Sequence, residues 1–283
     1  KLLPISKNYR RAIILPRFHG VLFPEPKPFT MRLIWLCFFL FLGIAGCSPA
    51  PNQPDANDAP NPTTLINQSR IAHGSSRVDS STITFDFRGR HYVSQRSGGR
   101  FQYERQWADT TGTAYRDVLT NDGLYREING ERVPLSAKDS AAYAGSVNSV
   151  LYFALLPYAL NDPAVQTEYL GTATLKNEPY HKIRVTFRAE GGGEDYQDEY
   201  IYWFHRDRHT MDYLAYNYQV NGGGARFREA YNIRMVEGLR VADYRNYKPV
   251  PHSMEVAVFD SLFEAGQMEQ VSLIETENLT LSR

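Results

Sequence analysis

The chain is 283 residues long with 31 basic and 31 acidic side chains, but seven of the basic residues and only one of the acidic ones stand before Cys47. The other 237 residues hold 24 basic and 30 acidic side chains, a net charge of −6, which excludes nucleic-acid binding through a basic surface. The two cysteines, Cys37 and Cys47, both fall in the N-terminal segment, which excludes a disulfide framework and a cysteine-based zinc or iron–sulfur site from the 237 residues that would form one domain with a sizeable core.

Residues 1–30 precede Met31, where an export signal would start, and are read as an over-extended gene start outside the fold. In 31–46, Arg32 stands before an apolar run over 33–42, and the segment closes on Ile44-Ala45-Gly46-Cys47. The run is shorter than the ~20 residues of a spanning helix. The segment therefore resembles a bacterial lipoprotein signal rather than an ordinary secretory signal or a transmembrane anchor. That resemblance implies that Cys47 receives a diacylglyceryl group, becomes the new N-terminus and gains a third acyl chain. Each buried methylene would add about 0.8 kcal/mol to the mooring. Ser48 follows Cys47 where an aspartate would signal inner-membrane retention, so the outer membrane is the favoured destination. Residues 47–62, dense in Pro, Asn, Asp and Ala, are read as a disordered tether with a reach of about 5–6 Å × √n.

A single domain is expected over 63–283. A short helix is predicted at 64–73, stopped by Gly74. Period-two alternation follows: Ile83, Phe85 and Phe87, then Phe101, Tyr103 and Trp107, with turns at Gly98-Gly99, Asn121-Asp122-Gly123 and Asn129-Gly130. Over 138–155, Tyr143, Val147, Val150, Leu151, Ala154 and Leu155 recur at helical spacing until Pro157, predicting a helix laid over a sheet. Strands resume with Ile183, Val185 and Phe187. Tyr200, Tyr202 and Phe204 then alternate with Ile201 and Trp203, and further strands run over 211–219, 227–235 and 239–247. In the 227–235 strand Phe227, Tyr231, Ile233 and Met235 form the apolar side against Arg226, Arg228, Asn232 and Arg234. A last helix is predicted from an N-cap at Ser253 to Gly266, and a final strand over 271–281. The total is about ten or eleven antiparallel strands with two or three helices, an α+β, mainly β fold without βαβ alternation.

Several motifs carry a chemical reading beside a plainer one. The acidic stretch 191–199 offers oxygen ligands for Ca²⁺ but lacks EF-hand spacing, so a glycine hairpin is preferred. His205 and His209 are four apart, yet flank a turn rather than a helix, and no metal site is assigned. The stretch 221–228, three glycines then Ala225, Arg226, Phe227 and Arg228, could attract phosphate or a lipid head group. It leads into a strand and lacks the N–H cradle of a phosphate loop, so a wide hairpin turn is preferred. No G-x-S-x-G elbow is present. No catalytic residue and no cofactor is assigned. The remaining signal is 13% aromatic residues including 19 tyrosines. Tyr152, Phe153, Trp203, Tyr213, Tyr216, Tyr218, Phe227 and Tyr231 are the candidate lining of an apolar cavity, against the plainer reading of ordinary core packing.

The stretches IAHGSSRVDSSTITFDFRGRHYV, SVNSVLYFALLPYALND, DYLAYNYQVNGGGARFREAYNIR and VADYRNY together resemble an uncharacterised family of bacterial lipoproteins, a domain of unknown function, over nearly all of 64–283. More distantly, the order of helix, strand meander, helix and further strands is similar to the LolA/LolB-like lipoprotein carriers and the LppX-type lipid-binding lipoproteins. That resemblance implies an open, strongly curved antiparallel half-barrel with helices over a hydrophobic cavity, and carries no site residue with it. A deoxyribose-phosphate aldolase activity, attached to some members of the closer family, is rejected. It would require something like a TIM barrel with a Schiff-base lysine, whereas strands dominate here and only Lys138, Lys176, Lys182 and Lys248 follow Cys47. The expected function is a membrane-tethered envelope lipoprotein that binds or shuttles a lipid or other apolar molecule. The alternatives are an envelope hydrolase using Glu194, Asp198 or His205, and a protein–protein interaction module.

Overall fold

The computed structural model describes residues 59–188, 198–219 and 223–283. The signal, Cys47, most of the tether, the acidic stretch with Glu194, and Asn221-Gly222 lie outside the described residues. Helix α1 (Pro62–Ala72) precedes β1 (Thr82–Phe87), β2 (Arg90–Ser97), β3 (Arg100–Ala108), β4 (Ala114–Thr120), β5 (Gly123–Ile128) and β6 (Glu131–Val133). Helix α2 (Ala137–Ala154) is followed by β7 (Val165–Leu175), β8 (Glu178–Phe187), β9 (Tyr200–His205), β10 (Met211–Tyr218), β11 (Gly224–Val236) and β12 (Leu239–Pro249). The chain ends with a short α3 (Phe259–Glu264), β13 (Met268–Ile274) and β14 (Glu277–Ser282).

These strands form two open antiparallel sheets of seven, ordered β14-β1-β2-β3-β4-β5-β6 and β13-β12-β11-β10-β9-β8-β7. The expected mainly β, antiparallel class with a few helices is the one observed, and neither sheet closes into a barrel. Among the described residues there are fourteen strands rather than ten or eleven. One missed strand, β7, lies at a sheet edge and alternates exposed with half-buried side chains over most of its length, so it carries little apolar period. The single strand expected over 271–281 is two strands in different sheets, divided at Glu275-Thr276. The buried Asp243 pins that crossing, accepting from the Thr276 N–H at 3.0 Å and from Asn232 Nδ2 at 2.6 Å. The helix expected from Ser253 is a 3-10 turn over Val256–Val258 and then α3, and Ser253 Oγ accepts only from the Glu255 N–H. Val256 and Val258 crowd a helical backbone at the place where a longer helix would begin.

Helix α2 sits where the sequence pattern predicts it. Ser136 opens it by accepting from the Asp139 N–H at 3.1 Å, a cap worth about 1 kcal/mol. Its buried stripe, Val147, Leu151 and Leu155, packs with Ile83, Phe85, Tyr92 and Tyr103 of the first sheet. Its flank bearing Tyr152 and Phe153 packs on Tyr200, Tyr202 and Leu214 of the second. One helix thereby covers parts of both sheets. The second sheet is covered on its other face too, where Ile201, Trp203, Tyr213 and Phe227 meet Val256 and Phe259 of the α3 region. Helix α1 docks on the β11–β12 turn so closely that a Cβ on Gly74, whose φ is +68°, would lie 1.9 Å from the Gly238 carbonyl oxygen.

Candidate functional site

The place where α2 leaves the sheets apart is a cavity of about 540 Å³, within the ~300–1,000 Å³ usual for sites that enclose a small molecule. One wall is Phe85, Phe87 and Arg88 at the end of β1. The roof is Ser149, Val150, Phe153 and Ala154 of α2, and the floor is the inward face of β10 to β13. Strand alternation decides that floor. On β10, Tyr216 and Tyr218 point inward. On β11, Arg226 and Arg228 do so, and on β12, Ala242, Tyr244 and Asn246.

Aromatic rings from β1, α2, β10 and β12 line the cavity beside Val150, Val271 and Ile274. Phe153 lies 5.1 Å from Tyr216 and 6.2 Å from Tyr200, centroid to centroid. Behind them the hydroxyls of Tyr152 and Tyr202 share a hydrogen bond of 3.1 Å, and burial raises both above the ordinary tyrosine range. Burial pushes Tyr244 up to about 12. These phenols are therefore neutral at physiological pH and act as hydrogen-bonding handles on an uncharged wall.

Three arginines, Arg88, Arg226 and Arg228, break that neutrality, and Arg228 is the buried one. It is 8% exposed, with its guanidinium 4.2 Å from the Phe153 ring centroid and 5.0 Å from that of Tyr216. Its Nη2 donates to the Tyr216 hydroxyl at 2.8 Å, while its buried Nε has no hydrogen-bond partner among the described residues. A buried donor without a partner costs about 1–3 kcal/mol.

Of the residues expected to line a cavity, Phe153, Tyr216 and Tyr218 do so, and Tyr152 stands directly behind. Trp203, Tyr213 and Phe227 do not. They belong to the opposite face of the same sheet, where Trp203 Nε1 donates to Asp260 at 3.3 Å and the Phe227 ring lies 4.9 Å from that of Phe263. Tyr231 shares that outward parity and donates to Glu275 at 2.6 Å. Aromatic content alone does not distinguish the two faces of a sheet covered on both sides. The apolar side expected for β11, with Phe227 and Tyr231, sets Arg226 and Arg228 on the opposite face, and that opposite face is the one that lines the cavity. In the sequence they share parity with Ala230, and the structure sets Ala230 across the strand pair from Tyr244.

The residues considered for hydrolysis or metal binding are placed structurally. His205 is buried, with Nε2 2.7 Å from Glu178 and Nδ1 accepting the N–H groups of Asp207 and Arg208 at 3.1 Å. Nδ1 thus holds the β9–β10 turn and Nε2 ties it to the start of β8. Asp198 is buried at the entry to β9. Among the described residues no group of three or more His, Cys, Asp and Glu is placed to hold a metal ion, and no helix is long and apolar enough to cross a membrane.

The model of a family of unknown function (DUF6503) matches residues 74–276, and the chain belongs to that family. No curated protein matches it. Among solved structures it is similar to a DUF1329 family protein from Desulfovibrio piger, at 12% identity and a TM-score of 0.43 over 76% of this chain and 92% of that one. It is similar to a LolA superfamily protein from Nitrosomonas europaea, at 10% identity and a TM-score of 0.43 over 80% and 93%. It is also similar to a putative outer membrane lipoprotein-sorting protein domain from Vibrio parahaemolyticus, at 8% identity and a TM-score of 0.41 over 78% and 94%.

Proposed function

We propose that this DUF6503 protein is an envelope lipoprotein, moored through acyl chains on Cys47, that takes a lipid or other apolar molecule into the cavity between α2 and the inward faces of its two sheets. The observation that carries the reading is the cavity itself, about 540 Å³ and walled by side chains such as Phe85, Val150, Phe153 and Ile274. A space of that size with apolar walls gains free energy when an apolar molecule fills it, at about 25 cal/mol per Å² of apolar surface removed from water. The tyrosine hydroxyls at its edge would orient the occupant rather than react with it. The mooring is supported by the Arg32 to Cys47 segment, and two or three acyl chains would make it durable.

The test is to purify the protein from the membranes of a bacterial host and extract it for lipid mass spectrometry, then titrate the delipidated protein with a fluorescent fatty acid. A co-purifying lipid or saturable binding is expected. Failure of both ends the carrier reading. Mooring is tested separately by metabolic labelling with palmitate: label is expected on the native protein and absent from Cys47→Ser, and a Cys47→Ser protein that stays with the membrane fraction would end it.

A further inference from the structure

Among the described residues the cavity is lined by three arginines, Arg88, Arg226 and Arg228, and by no aspartate, glutamate or lysine. Among the described residues none of the three is within ion-pair distance of a carboxylate, although fourteen pairs of Lys or Arg with Asp or Glu are formed elsewhere in the described residues, from Arg105–Asp117 to Lys248–Glu269. Arg88 rests over the ring of Phe87 and Arg226 over that of Tyr218. Arg228 lies deeper, stacked on Phe153 and Tyr216, with its buried Nε unsatisfied. The contrast with the inner face of the first sheet is direct. There two further arginines, Arg105 and Arg126, converge on the fully buried Asp117, at 2.5 Å and 2.6 Å.

A buried guanidinium ordinarily finds a carboxylate. Stacking on aromatic faces offsets part of its desolvation, and with Nη2 given to the Tyr216 hydroxyl and Nε buried, the Nη1 end of the fork is left to take an oxyanion from the cavity side. We propose that the ligand of this cavity is a single-chain anionic amphiphile. Its carboxylate or phosphate head is held by Arg228, with Arg226 and Arg88 adding positive potential, and its chain lies along the apolar wall of Phe85, Val150, Phe153 and Ile274. This rests on the carrier reading above and specifies what is carried. Arg228 is the specificity-determining residue, since it selects an ionised head over a neutral one.

The delipidated protein is titrated by calorimetry with oleate, 1-oleoyl-lysophosphatidate, monoolein and inorganic phosphate. Oleate or the lysophosphatidate is expected to bind at least about tenfold more tightly than monoolein, the scale of a charge-assisted hydrogen bond, and phosphate alone is expected to bind far more weakly than either. Arg228→Gln should remove most of that preference while leaving monoolein within about threefold of the native value, and Arg228→Lys should restore part of it. The native protein gives a second readout: raising the salt concentration should weaken oleate and leave monoolein unchanged. Equal binding of oleate and monoolein overturns the head-group assignment while the carrier reading stands. Phosphate binding as tightly as the amphiphiles overturns the amphiphile, and no binding of any of the four overturns both readings.

Discussion

His73 accepts the Met211 N–H through Nε2 at 2.9 Å, and its carbonyl accepts the Arg240 N–H at 3.0 Å. The ring ties α1 to the second sheet in its neutral form. Burial first, and Arg240 second, lower its pKa from 6.5 to about 3. The unfolded chain takes up this proton below pH 6.5 and the folded chain does not, so stability falls by about 1.4 kcal/mol per pH unit between 6.5 and about 3. Burial lowers His181 in the same direction. Denaturant unfolding at a series of pH values should show the decline beginning above pH 5, before carboxylates titrate, and His73→Gln should flatten that part of the curve. Asp117 poses the complementary case. It is inaccessible and accepts from both Arg105 and Arg126, so Asp117→Asn leaves two arginines without a counter-charge. A loss of about 3–5 kcal/mol is expected from the denaturation midpoint.

Helix α2 is the element whose position the site depends on, because its stripe of Val147, Leu151 and Leu155 seats on the first sheet while Phe153 reaches the second. Leu151→Ala removes a fully buried side chain from that seat and should cost about 2–5 kcal/mol in thermal or denaturant unfolding. The docking of α1 gives a sharper case. Gly74→Ala asks for a left-handed backbone and a methyl group 1.9 Å from the Gly238 oxygen, which only a backbone shift relieves. A loss on the order of 3 kcal/mol is expected, and a neutral result would show that α1 is not held at that turn. Helix α2 was legible because helical spacing, a Ser cap and a closing proline agree in 136–157. The α3 region departs from the expected longer helix because an apolar stripe can be supplied by a 3-10 turn and a six-residue helix as well as by one longer helix.

At the scale of the molecule, the cavity is bounded by β1 of one sheet, β10 to β13 of the other and α2 between them. A ligand held there touches both sheets and the helix that joins them. Binding confined to the folded state adds RT ln(1 + [L]/Kd), about 2.7 kcal/mol at a hundredfold excess over Kd. A saturating amphiphile should therefore raise the unfolding temperature of the native protein by several degrees, and Phe153→Ala, which strips the roof, should shrink the rise. A ligand that binds without moving the transition would place its site outside the folded core.

What the sequence determined by itself was local: the alternation that makes strands of β1, β3 and β8 to β12, the spacing that makes α2, the turn residues at Asn129-Gly130, and which side chains share a face. The tertiary structure decided what covers each face. Alternation sorts Arg226 and Arg228 from Phe227 and Tyr231 with no ambiguity, yet it does not say which set meets water, because the second sheet has α2 over one face and α3 over the other. Those coverings come from segments some 30 to 80 residues away in the chain, and their cost or gain appears only when distant elements pack. The arginine-lined hollow exists for that reason, and no window of the sequence contains it.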